Sequence, residues 1–213
     1  MRDPPSNMFY SIPAITRALL VVNVSMFVAE MLVGDALVLN LALWPIGTMS
    51  LAGGSHGFQP WQIITYSFLH GSALHLFFNM FALYMFGGEL ERLFGQKRYL
   101  NLYFVSVITA AITQLIVSGV AVEDPYPTIG ASGGIFGLLL AYGMYFPTRM
   151  VILIFPPIPM QARYFVILYG VIELYLGVTG TQEGVAHFAH LGGMLGAWFI
   201  IQHWRGRPPF RRR

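Results

Sequence analysis

The chain has 213 residues, 56% of them hydrophobic and only 10% charged, with a mean hydropathy of +0.63. Soluble domains carry about 25% charged residues, so this composition is that of an integral membrane protein. There is no cysteine, which excludes disulfides, thiolate metal sites and a cysteine nucleophile.

The chain order predicts a short tail, 1–13, one membrane unit over 14–203 and a basic tail, 204–213. Pro4 and Pro5 lie in the first tail, and the apolar run after Arg17 has no small-residue cleavage site, so the first helix is expected to remain as an anchor. A bilayer core needs about 20 apolar residues per helix. Six segments qualify: 14–34, 72–92, 98–120, 132–148, 160–178 and 185–203, the fourth being short because Pro147 ends it. Between the first two lie residues 35–71, too apolar for a free loop; Trp44, Phe58 and Trp61 suit the headgroup region, and short interfacial helices are expected there.

Charge fixes the direction of the spans. Arg2 and Arg17 precede the first; Arg92, Lys97 and Arg98 lie between the second and third; Arg149 and Arg163 lie between the fourth and fifth; five arginines from Arg205 onward follow the sixth. The opposite loops carry Asp35, Glu123, Asp124 and Glu183 and no basic residue. The positive-inside rule then puts both termini in the cytoplasm. The net charge of +3 and pI near 9.3 follow from this topology and give no sign of nucleic-acid binding.

Spans two, four and six run from outside to inside, so residues early in each share a depth near the outer face. His75 and Asn79 lie one turn apart on span two, Ser132 opens span four within Gly130-Ala-Ser-Gly133, and His190 lies early in span six. Polar groups inside spans mark either a function or an interhelical hydrogen bond. Gly130 and Gly133 allow close backbone approach, and a helix N-terminus supplies free N–H groups where an oxyanion could form. Ser132 is therefore a candidate nucleophile. The elbow of soluble hydrolases is a poor analogy, because no strand pattern precedes the serine.

Among six histidines, His56 lies in the outer segment and His203 at the inner end of span six, which leaves His190 as the best base and His187 as the runner-up; lining of a water-access cavity is the alternative for His187. The small face of span six, Gly192, Gly193, Gly196 and Ala197, would let it approach Gly133, Gly134 and Gly137 of span four. Phe136, one turn after Ser132, is placed to stack on the imidazole or simply to fill the core. No carboxylate is expected beside the base: Glu89 and Glu91 fall at the inner end of span two, Glu30 and Glu173 within spans one and five. A Ser-His dyad is expected in place of a triad.

With Gly130-Ala-Ser-Gly133, Ala189-His-Leu-Gly-Gly193 and His70-x4-His75-x3-Asn79 in that helical order, the chain resembles the rhomboid intramembrane serine proteases over residues 9 to 203. The resemblance implies an all-α, six-span bundle in minimal bacterial-type form, in the inner membrane. It implies Ser132 as nucleophile, His190 as base, an oxyanion hole from His75, Asn79 and the Ser132 N–H, and His70 as support for the outer segment, with no metal and no cofactor. The implied substrates are other membrane proteins' transmembrane segments, cut near the outer end and weakened there by Gly, Pro or similar residues. Two departures stand out: Trp61-Gln62 where the family often has Trp-Arg, and Phe136 at a position often Tyr. The rival readings are an inactive rhomboid-like binder of membrane helices and, with less support, a small transporter using the His and Asn residues as an ion path.

Overall fold

A computed structural model describes residues 12–47, 57–121, 126–152, 157–180 and 186–206. Most of both tails, His56, Glu123, Asp124 and Glu183 therefore lie outside the described residues. The first helix, α1 (Ala14–Val33), ends at Gly34 and is followed by the short α2 (Asp35–Leu41). The outer segment then forms α3 (Gln62–Thr65) with a 3-10 turn over Tyr66–Phe68. Short helices were expected here, and the buried Gln62 binds them together. Its Oε1 accepts from the Trp44 and Gln59 N–H groups at 3.2 and 3.1 Å, so the loop has a hydrogen-bond hub without a guanidinium.

Ser72 caps α4 (Ala73–Ala82), which passes through a π-helical turn, Leu83–Gly87, directly into α5 (Gly88–Ala121). The continuous helical stretch Ala73–Gly119 has 47 residues. At 1.5 Å per residue that is about 70 Å, more than twice a bilayer core. Its backbone breaks at Gly95, with φ 74° and ψ 164°, values costly for any residue with a Cβ. Spans two and three of the sequence reading are thus two arms joined at this glycine. By length and apolarity, the described helices that qualify to cross a membrane are Ala14–Val33, this long stretch and Ala162–Thr179, with Ser132–Tyr145 as a shorter apolar helix.

The remaining helices are α6 (Ser132–Tyr145), α7 (Ala162–Thr179) and α8 (His187–Trp204). Between α6 and α7 the expected all-α fold needs correction. Pro147 stops α6, and the chain then forms an antiparallel pair, β1 (Met150–Ile152) and β2 (Pro159–Gln161), with Val151 opposite Met160. The β-branched Val151 and Ile152 suit an extended backbone.

The second arm of α5 is the hub of the core, with Tyr99, Leu102, Tyr103 and Val107 fully buried. Helices α6 and α8 reach it and each other through glycines. A Cβ on Gly193 would fall 2.0 Å from the Gly133 carbonyl oxygen, and a Cβ on Gly137 would meet Ser106 Oγ at 2.0 Å. The small face of α8 is shared between two neighbours: Gly193 meets α6, while Gly192 and Gly196 meet Thr113 and Thr109 of α5.

Among the described residues, arginines gather at one end. Arg149 pairs with Glu89, Arg98 lies 5.7 Å from the Trp204 ring, and Arg205 lies 4.7 Å from that of Tyr145. At the same end, the buried Glu91 accepts from the N–H groups of Ile15 and Thr16 at 2.9 and 2.7 Å and from Thr16 Oγ1 at 2.8 Å. A carboxylate at a helix N-terminus satisfies donors that the helix cannot and complements its dipole.

The glycine contact predicts a graded mutational response. Gly193→Ala should lower the melting temperature in detergent, with a cost of about 1–3 kcal/mol for overpacking. Gly119→Ala, with nothing within 4 Å of the added methyl, should be neutral or slightly stabilising by about 0.5–1 kcal/mol. Equal melting temperatures for the two variants would contradict the packing described.

Candidate active site

The segment leading to Ser132 is held from two sides. Leu43 and Thr128 exchange backbone hydrogen bonds of 3.0 and 2.9 Å, and the Gly130 N–H donates to the Tyr66 carbonyl at 3.0 Å. Gly130 then turns the chain with φ 123°, and α6 begins two residues later. A Cβ at Gly130 would lie 2.8 Å from both Cε1 and Nε2 of His75, so only glycine lets the His75 ring rest against this backbone. Ser132 is the first residue of α6, and its N–H is among those with no partner inside the helix.

Ser132 Oγ lies 2.8 Å from His190 Nε2. The Phe136 ring stacks on the imidazole at 4.3 Å and 5°, the arrangement that its position one turn after the serine allows. Of the two histidines offered as base, His190 reaches the serine. His187 turns away, its ring 6.3 Å from that of His190 and perpendicular to it.

His190 Nδ1 meets Glu173 Oε2 at 2.8 Å, and His187 Nδ1 meets the same oxygen at 2.7 Å. The expectation that no carboxylate stands beside the base is therefore corrected. Glu173 projects from α7 between two histidines three residues apart on α8, and all three are buried. The signal was present: an ionisable residue inside a span is by default a functional candidate. Glu173 lies two turns from the end of α7, and α7 runs antiparallel to α8, so its depth matches that of His190. An ionised carboxylate only accepts, so a neutral imidazole that donates its Nδ1–H to Glu173 has a bare Nε2.

The ligand atoms of Glu173, His187 and His190 all lie within 4.8 Å of one another. This trio could hold a metal only by giving up both hydrogen bonds, because 2.7–2.8 Å is the spacing of a charge-assisted N–H···O contact. Two zinc ligands at 2.0–2.2 Å from a tetrahedral ion would stand farther apart, at about 3.3 Å.

The remaining polar residues surround the serine from α4 and the outer segment. The His75 N–H donates to Ser72 Oγ at 3.1 Å, and Asn79 Nδ2 donates to the His75 carbonyl at 3.2 Å. His75 and Asn79 line the same cavity as Ser132 and His190. His70 is buried, its ring 5.0 Å from that of His75 and edge-on to it, and its N–H donates to the Glu30 carboxylate at 3.1 Å. Burial, reinforced by His75, pushes the His70 imidazole down to about 4, so this ring is neutral at physiological pH.

The cavity holds about 470 Å³ and runs from Ser132 between α4, with its π turn, and α7 as far as Val151 and Ile152. Its walls are largely apolar: Phe78, Phe81, Met85, Phe165 and Tyr169 line it, and the first three also face outward on the surface of the bundle. An extended peptide with apolar side chains fits such a space better than a hydrated ion does.

A family model described as the Rhomboid domain matches residues 57–204, more than half of the chain. The rhomboid protease GluP of Bacillus subtilis (strain 168) is 31% identical over 144 residues, covering 65% of this chain and 25% of that protein. The rhomboid protease GlpG of Yersinia pestis (strain Pestoides F) is 25% identical over 185 residues, covering 85% of this chain and 59% of that protein. The chain thus spans a quarter of one relative's length and about three fifths of the other's. The Ser132 and His190 motifs both fall inside the matched domain and meet in one cavity, and this chain belongs to the rhomboid family.

Proposed function

We propose that this chain is an intramembrane serine endopeptidase that cleaves transmembrane segments of other membrane proteins near their outer end. The observation that carries the reading is the 2.8 Å contact between Ser132 Oγ and the bare Nε2 of His190, at the end of an apolar cavity. His190 takes the Ser132 proton as Oγ attacks the scissile carbonyl. The tetrahedral oxyanion lies at the α6 N-terminus and accepts from the Ser132 N–H and from the side chains of His75 and Asn79. His190 then passes its proton to the leaving amine, an acyl-enzyme remains on Ser132, and water activated by His190 releases it. The reaction needs no cofactor.

A peptide bond inside a helix has its carbonyl bonded to the next turn, so a substrate must unwind to be cut. Segments with Gly or Pro near the outer boundary unwind at least cost, and they are the proposed substrates. Spans two and five, which correspond to the α4 arm and α7, flank the cavity and are the proposed gate, together with residues 179–184.

Residues 14–203 form the protease unit, crossing the membrane six times: α1, the two arms meeting at Gly95, α6, α7 and α8. The collection of Arg98, Arg149 and Arg205 at the end away from Ser132 supports a cytoplasmic placing of that end and of both tails, 1–13 and 204–213. The bacterial inner membrane is the proposed location.

Ser132→Ala and His190→Ala should each abolish cleavage of a single-span substrate in liposomes and leave expression and melting temperature unchanged. Full proteolysis by purified Ser132→Ala would overturn the assignment. Fluorophosphonate labelling separates the enzyme from an inactive helix binder or a transporter, which would give no adduct dependent on Ser132. Gly130→Ala, which must displace the His75 ring, should slow cleavage by about 100- to 1,000-fold, the range of a lost oxyanion donor. Its kcat at the wild-type level would remove His75 from the oxyanion hole.

A further inference from the structure

We propose that Glu173 is a positioning residue for His190, so that the site works as a relay Ser132–His190–Glu173 in which His187 holds the carboxylate in place. The inference rests on the protease reading above. Three contacts determine the His190 ring: Phe136 stacked at 4.3 Å fixes its plane, Ser132 Oγ sits at Nε2, and Glu173 Oε2 sits at Nδ1. Stacking alone leaves the ring free to turn over within its plane and leaves the tautomer open. The carboxylate decides both, because an ionised Glu only accepts and must receive an N–H from Nδ1. The lone pair at Nε2 then faces the serine in every resting molecule.

The carboxylate is itself fixed. His187 Nδ1 reaches the same oxygen at 2.7 Å, while His187 Nε2 is buried without a hydrogen-bond partner, so the ring's polar contact is spent on Glu173. The backbone makes room for this arrangement. Gly177, one turn after Glu173 on α7, is the point where a Cβ would press on Phe188 at 3.1 Å and on the His187 Cβ at 3.3 Å. Its lack of a side chain lets α7 approach α8 closely enough for a glutamate to span the gap.

The same geometry acts during the reaction. When the Ser132 proton moves to Nε2, the ring becomes an imidazolium whose Nδ1–H already points at a carboxylate. That pair forms in a largely water-free setting, where opposite charges attract more strongly than in water. The proton leaves again from Nε2 to the departing amine, and Glu173 remains ionised throughout.

The test uses the full chain in liposomes with a single-span substrate carrying Gly and Pro near its outer end. The fluorophosphonate-reactive fraction counts folded sites, and kcat is expressed per reactive site. Glu173→Gln keeps the size of the side chain but can turn its NH₂ toward Nδ1, which would reverse the imidazole tautomer. It should lower kcat per site by at least about tenfold, with KM within about twofold. His187→Gln should lower kcat by a smaller factor in the same direction.

A wild-type kcat per reactive site for Glu173→Gln and Glu173→Ala would overturn the inference, even if fewer sites fold, since that pattern belongs to a purely structural contact. Cleavage that persists in Ser132→Ala would instead overturn the protease reading. Ser132-dependent cleavage at full speed without Glu173 would overturn the relay alone.

Discussion

The backbones of α6 and α8 touch where Gly133 faces Gly193, at a distance that admits no side chain on Gly193. Lipid tails are as apolar as leucine, so helices in a bilayer gain little from hiding apolar surface and are held by close packing and by hydrogen bonds. Ser132 precedes Gly133 by one residue, and His190 precedes Gly193 by three. The glycine contact therefore sets the spacing of the serine and the imidazole more directly than any bond between them. The same helix meets α5 at Gly192 and Gly196, so α8 cannot rotate away from α6 without colliding with Thr113 and Thr109.

The α5 hydroxyls that face the glycines of α6 and α8 are satisfied within their own helix. Ser106, Thr109 and Thr113 donate to carbonyls four residues earlier at 2.8 Å each. Hydroxyls bonded in this way let α5 present a small surface to the glycines of α6 and α8 at no cost in unpaired donors. Polar groups that reach between helices are fewer and cluster at the site: Glu30 to His70, Glu173 to both histidines, and Ser132 to His190. Further polar contacts between described helices lie in the outer segment, where Thr65 Oγ1 donates to the Leu41 carbonyl at 2.7 Å, and at the basic end, where Glu91 and Glu89 tie neighbouring segments together.

Much of this was legible in the sequence, because glycine spacing and charge alternation are local patterns. The small face of span six, the short fourth helix ending before Pro147 and the depth shared by Ser132, His190, His75 and Asn79 all follow from counting residues along helices. Three features were not legible. Glu173 was seen, and Gly170 and Gly177 mark the face of α7 that carries it, but its approach to His190 depended on how three helices pack. The β1–β2 pair arises in a run that is apolar throughout, where strand and buried segment look alike. The π-helical turn at Leu83–Gly87 leaves no mark on periodicity, yet it sets where Met85 and Phe86 meet the cavity.

The cap on α1 links the beginning of the bundle to its middle. Glu91 serves the N–H groups of Ile15 and Thr16 from 76 and 75 residues along the chain. α1 is made before Glu91 and therefore waits for its terminal donors to be satisfied until the segment carrying that glutamate has been made. Until then, water or lipid headgroups must stand in for the carboxylate. Because Glu91 is synthesised after α1, the N-terminal docking of α1 onto the bundle can be completed only once the first turns of α5 have folded.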